Sequence, residues 1–250
     1  MKFVLVALLV GACLTVSWPS AFRTITKSKP IEVRRGQTFD GFRENGNKWI
    51  RYDRGRKALG DCINVEGDRD DAVFILYSRA TLKNVILGGN AVEHVHCVED
   101  GCTIENVYWE DVCNAALTFE NGESTTARYY VKGGAARYGQ NKIIQHKSAG
   151  TVYICNFYCE NSNKLYSACG NWKKGYQGKR DVVMTDVSAK MVAAIAVYNS
   201  NFGDTVTLNN VTIRGGHICR AYQGRNDGIE PTALGYKCDL AGTIKSCVCK

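Results

Sequence analysis

The chain has 250 residues, 45% hydrophobic and 22% charged, with 32 Lys and Arg against 24 Asp and Glu, for a net charge of +8. The cationic excess favours an acidic polymer as partner, and the lack of a helix-turn-helix or zinc-finger pattern argues against nucleic acid. The apolar run at the start, Phe3 to Val16, is shorter than the ~20 residues a membrane span needs, and nothing similar follows it.

With Lys2 ahead of it and small residues at Thr15 and Ser17, that run reads as a secretory signal peptide over residues 1–17, with a cut after Ala21 as the other choice. Residues 18–250 then form one domain, expected to be extracellular and monomeric, since no Pro- or Ser-rich linker divides them. Val, Thr, Tyr, Ile, Asn and Gly dominate and Pro is scarce, a β composition. Of the twelve cysteines only Cys13 lies in the leader, and in an oxidising compartment the rest should mostly pair, one staying unpaired. Zinc is the weaker reading, because matched pairs of cysteines two residues apart are missing.

A five-residue pattern then recurs along the body: a β-branched or aromatic residue, an apolar one, a variable one, Asn or Asp, and Val or Phe. It reads Thr81-Leu82-Lys83-Asn84-Val85, Thr103-Ile104-Glu105-Asn106-Val107 and Tyr153-Ile154-Cys155-Asn156-Phe157. Later copies are Val183-Met184-Thr185-Asp186-Val187 and Thr207-Leu208-Asn209-Asn210-Val211. The Asn/Asp positions step by 22, 50, 30 and 24; the long step holds a degenerate copy, Tyr130-Val131-Lys132-Gly133, with Gly in the Asn place. Short strands at this period predict a solenoid, each turn burying its inward side chains against its neighbours, with an Asn stacked at one corner. A β-sandwich has no reason to repeat that corner, so a parallel β-helix is the expected fold. From His217 onward, Gly224, Gly228, Pro231, Gly235 and four cysteines predict a loop-rich, disulfide-pinned cap.

Several segments together resemble polysaccharide lyase family 3, the small pectate lyases. They include Gly36-Gln37-Thr38-Phe39-Asp40-Gly41, Ala80 through Gly88, Glu105-Asn106-Val107-Tyr108-Trp109-Glu110-Asp111-Val112, Lys142-Ile143-Ile144-Gln145-His146 and Lys164-Leu165-Tyr166, spread in order over roughly residues 30–230. The resemblance implies an all-β, right-handed parallel β-helix and a secreted enzyme that cleaves de-esterified pectin (polygalacturonate) by β-elimination, usually with calcium. That reaction needs a base for the proton at C5 and positive charge on the neighbouring carboxylate. The family pattern places Lys142 as the base and Lys164 as a second functional lysine, with Glu66 as an acid or substrate ligand. Arg137 is a candidate for holding substrate, and Glu93, Asp111, Val112 (through its carbonyl) and Asn114 are the candidate calcium ligands.

The sequence departs from that pattern. Cys113-Asn114-Ala115 stands where the family has Gly-Glu-Asp, which removes two carboxylates and predicts a weakened calcium site. Ser167 replaces an expected Arg, losing a bidentate carboxylate clamp, and Asn141 replaces an Asp ahead of Lys142; Arg137, Lys173, Lys174 and Arg180 are the candidates to compensate. A non-enzymatic pectin binder and a disulfide-rich structural or effector scaffold are the competing readings. His94, His96 and Cys97 could be a metal cluster, although His96-Cys97 matches a structural piece of the family. Asn210-Val211-Thr212 is a glycosylation sequon whose Asn, falling on the repeated corner, is expected to be buried and unmodified.

Overall fold

A computed structural model describes residues 17–55, 67–173, 175–238 and 242–249. Almost every strand pairing in it is parallel, and each turn of chain lies on the one before. On one face Thr81 stands beside Thr103, then Tyr130, Tyr153, Val183 and Thr207. One residue further on, Leu82, Ile104, Val131, Ile154, Met184 and Leu208 form an inward column in which no side chain exceeds 1% exposure. Each such side chain contributes roughly 1.5–3 kcal/mol of burial, so the repeat's apolar position adds cohesion at every turn.

The Asn/Asp position of the repeat makes the corner. Asn84, Asn106, Asn156, Asp186 and Asn210 all have φ between 52° and 56°, the left-handed region that Asn and Asp visit most readily after Gly. Gly133 takes the same place in the degenerate copy with φ 66°. The side chains link successive turns: Asn106 Nδ2 donates to Asn84 Oδ1 and Asn84 Nδ2 to Asp40 Oδ1, both at 2.8 Å. Asn210 Nδ2 donates to Asp186 Oδ1 at 2.5 Å. Contrary to expectation Asn210 is exposed, because the corner turns outward and only the residues flanking it point into the core.

After the corner the chain forms a second face and then a third, whose strands include Glu93–Val98, Ala115–Glu120, Lys142–His146, the second halves of Tyr158–Ala168 and Arg180–Asn199, and His217–Gln223. Its inward column is Val95, Leu117, Ile144, Tyr166, Ala196 and Cys219. The C-terminal segment is more regular than the expected loops. Gly242–Cys249 pairs antiparallel with Thr205–Arg214, and Thr232–Lys237 with His217–Gln223. Reversal of direction covers open edges that would otherwise template association.

Cys97 is bonded to Cys102 and Cys238 to Cys249. Cys155, Cys159, Cys169, Cys219 and Cys247 are free thiols, more than the single one expected. Cys159 faces the apolar interior, where burial pushes its thiol up to about 12. Residues 1–16, most of the expected signal peptide, lie outside the described residues. No helix among those described is long and apolar enough to cross a membrane.

Candidate active site

The third face carries two outward columns. In the first, Glu93 pairs with Ala115 and Ala115 with Lys142; Lys164 pairs with Ala194 and Ala194 with His217. Ile144 pairs with Tyr166, so the same register carried back two residues sets Lys142 beside Lys164. In the second column His96, Thr118, Gln145, Ser167, Val197 and Arg220 stand in line. Between the columns, Ile143 and Ile144 are both buried, as are Leu165 and Tyr166. Each strand therefore opens with outward residues three apart rather than two, and Lys142 and Gln145 reach the same side.

Glu93, His96, Asn114, Thr118, Lys142 and Lys147 line a cavity of about 270 Å³, with Trp172 and Gly228 on its wall. Lys142 is largely buried there, and no hydrogen bond or ion pair holds its ammonium among the described residues. Burial pulls Lys142 below the ordinary lysine range; Glu93 opposes that shift, while the Lys164 and Lys147 charges add to it. Burial also lowers Lys164, assisted by the positive charge of Arg220 and opposed by the Glu230 carboxylate. Lys142 and Lys147 on the wall, with Lys164 beside them, outnumber the Glu93 carboxylate and make the concavity attractive to an added carboxylate.

One wall is a charge relay that sequence reasoning missed. Glu93 is 2% exposed, and its Oε2 lies 3.5 Å from His96 Nε2. His96 Nδ1 is 3.1 Å from Glu120 Oε1, which also accepts from Arg69 Nε at 2.6 Å. Burial alone would lower His96, yet Glu120 and Glu93 together raise it. Burial likewise works against Glu120, but His96 and Arg69 hold its carboxyl at about 2. Glu120 sits on the file that the Cys97-to-Phe119 pairing continues, a register invisible without the fold.

The predicted residues separate into groups. Glu93, Asn114 and Lys142 share the cavity, and Lys164 stands one strand on. Asp111 is exposed against Gly89, and Val112 is buried with its carbonyl accepting from the Gln140 N–H at 3.2 Å. Neither lines the cavity. Arg137 belongs elsewhere: its Nε donates to the Glu110 carbonyl at 3.1 Å, and its guanidinium lies 4.2 Å from the Trp18 ring centroid. Arg180 is fully buried, donating to the carbonyls of Ser148, Cys169 and Lys147 at 3.1, 3.0 and 2.9 Å, and so serves the fold. Glu66 and Lys174 lie outside the described residues.

Calcium takes six to eight oxygens. Only Glu93 and Asn114 of the four candidate ligands face the cavity, and Asn114 Oδ1 already accepts from Asn141 Nδ2 at 3.1 Å. The Glu93 carboxylate lies 3.5 Å from His96 Nε2 instead, with the Lys142 charge within electrostatic reach. These residues do not form a calcium cage. His94, His96 and Cys97 do not converge either: His94 is buried against the Gly88 and Ala115 carbonyls, and Cys97 is in a disulfide.

Residues 15–228 match the sequence model of the pectate lyase family. The chain belongs to that family. A probable pectate lyase F from Aspergillus terreus is 42% identical over 239 residues, covering 93% of this chain and 96% of the relative. Pectate lyase E from Emericella nidulans is 44% identical over 209 residues, covering 84% of this chain and 76% of its own. The catalytic domain of pectate lyase PelI from Erwinia chrysanthemi superposes with a TM-score of 0.62 at 27% identity, covering 84% of this chain and 94% of that domain. PelI complexed with tetragalacturonic acid gives 0.63 at 25% identity, covering 84% of this chain and 64% of that one. This pectate lyase family member thus shares the parallel β-helix of its solved relatives, with its paired lysines on the third face.

Proposed function

We propose that the protein is a secreted, extracellular pectate lyase that cleaves polygalacturonate by β-elimination. The observation that carries this reading is the adjacency of Lys142, on the cavity wall, and Lys164, one strand on, two partly buried ammoniums with no hydrogen-bond or ion-pair partner among the described residues. Its family membership, and the tetragalacturonic acid in the PelI complex, support an acidic polysaccharide as substrate.

Lys164 holds the uronate carboxylate, which acidifies the neighbouring C5–H. Lys142, whose neutral form is favoured by burial, takes the C5 proton on Nζ. The electron pair left at C5 forms the C4–C5 double bond as the C4–O4 bond breaks. The released oxygen takes a proton from water and becomes the reducing-end hydroxyl of the other fragment, while Lys142 returns its proton to solvent. Positive charge fixed at the carboxylate stabilises the enolate-like transition state without reorganisation. No step of this scheme passes through calcium, which the family usually employs but for which these residues do not form a cage.

The purified protein incubated with polygalacturonate should raise ultraviolet absorbance as the unsaturated sugar appears, and Lys142→Ala should abolish the rise. The neutral Asn114–Asn141 pair and Ser167 favour the second reading, a pectin binder. Retained binding to polygalacturonate with no absorbance change would establish that reading and end the enzymatic one.

A further inference from the structure

Ser167 leaves a gap in the carboxylate-binding face, and the same outward column shows what lies beyond it. Ser167 pairs with Val197, and Val197 with Arg220. Adjacent strands lie about 4.8 Å apart, so Arg220 starts roughly 10 Å from Ser167. The positions between are the short side chains of Ala194 and Val197, 3% and 6% exposed, over which a long side chain can lie flat. Arg220 is packed on aromatic rings, its guanidinium 5.1 Å from the Tyr222 centroid and 5.5 Å from that of Tyr236.

Among the described residues nothing hydrogen-bonds or ion-pairs with this guanidinium. Glu230, whose charge also reaches Lys164, accepts from Asn171 Nδ2 at 2.9 Å, and Asp227 pairs with Arg225. A guanidinium fixed by ring stacking, with its fork of donors unused, is prepared for a planar two-oxygen acceptor. Its charge already reaches the Lys164 ammonium.

We propose that Arg220 is a substrate-binding residue that grips a uronate carboxylate together with Lys164, supplying from two turns further along the solenoid the clamp that Ser167 cannot. This rests on polygalacturonate being the substrate. Because it comes from a different strand, the grip addresses the carboxylate from the C-terminal end of the groove, over Ala194 and Val197.

Arg220→Ala, Arg220→Lys and the double variant Arg220→Ala/Ser167→Arg would be compared with the unsubstituted protein in polygalacturonate binding by calorimetry and in elimination rate, each checked for unchanged thermal unfolding. Loss of a charge-assisted bidentate contact should weaken binding or kcat/KM by roughly ten- to a hundredfold in Arg220→Ala. Arg220→Lys should recover only part, and the double variant should recover more, an outcome that loss of ring packing alone would not give. Intact Arg220→Ala with unsubstituted binding and rate would overturn the assignment while leaving the lyase reading standing. Absence of both binding and cleavage in the unsubstituted protein would overturn the two together.

Discussion

Asn141 Nδ2 donates to the side-chain Oδ1 of Asn114 at 3.1 Å, tying two successive turns where Asn114 lines the cavity. Both positions are neutral where the family pattern carries carboxylates. One hydrogen bond links the two amides, and among the described residues Glu93, 3.5 Å from His96, is the one carboxylate lining the cavity. Calcium affinity follows ligand charge. Calorimetric titration with calcium chloride should therefore show weak binding, and the double variant Asn114→Glu/Ala115→Asp should bind more than about tenfold tighter. Tight calcium binding by the unsubstituted chain would contradict the amide-pair account.

Lys142→Arg separates charge from basicity. Arginine keeps the positive charge but stays protonated at any working pH. Elimination should fall to background while polygalacturonate binding survives. For the unsubstituted protein, burial lowers Lys142, so its neutral fraction grows at lower pH than that of a free lysine near 10.4. The rising limb of the rate against pH should accordingly sit below that value; a limb at or above it would remove Lys142 as the base.

His146 makes the fold acid-sensitive. It is completely buried beneath the active face, its Nδ1 2.8 Å from the Tyr166 hydroxyl, and burial with the nearby Arg180 charge pushes it down to about 3. The unfolded chain takes up this proton near pH 6.5 and the folded chain does not, so stability falls as pH drops from about 6.5 toward 3, by up to roughly 1.4 kcal/mol per pH unit. Urea midpoints across that range should show the slope, and His146→Gln should flatten it.

Asn106 tests the corner. Replacement by Ala puts a side chain without local hydrogen bonds at φ 54° and breaks the link to Asn84. The left-handed penalty of about 1–2 kcal/mol and the lost hydrogen bond of about 1 kcal/mol predict a destabilisation near 2–3 kcal/mol. Asn106→Gly should lose only the second part. Denaturant midpoints of the two variants decide between them, and equal losses would deny the backbone its share.

Arg180→Met tests the structural assignment of a residue that the family comparison offers as a substitute for the Arg missing at Ser167. Three carbonyls from the ends of earlier turns, Lys147, Ser148 and Cys169, accept from its guanidinium. Its removal strands those carbonyls and should cost several kcal/mol in unfolding free energy. Unchanged stability with a selective loss of polygalacturonate binding would return Arg180 to the substrate groove.

The solenoid was legible because its strongest constraint is local. One residue per turn must enter the left-handed region, Asn, Asp and Gly enter it most cheaply, and an apolar residue two places earlier must point inward. Thr81 to Val85 and Thr103 to Val107 carry all of that in five residues each. The lysines stand out only because the Lys142–His146 and Lys164–Tyr166 segments resemble the family pattern; nothing in the repeat itself marks them. The exposure of Asn210 was not legible, since stacking at a corner does not say which side faces water.

What the sequence determined by itself is therefore the period, the corner and the direction of the inner columns; the two lysines stand out only through the resemblance to the family. The tertiary structure decided which side chains meet around them. Glu120 joins His96, Asn141 joins Asn114, and Arg220 comes into line with Ser167 only through the register between turns 20 to 30 residues apart. It also sent Lys142 and Gln145 to the same side, where simple alternation would have opposed them. Local propensity cannot supply these contacts, because a shift of one residue in register would turn each of those side chains away from its partner.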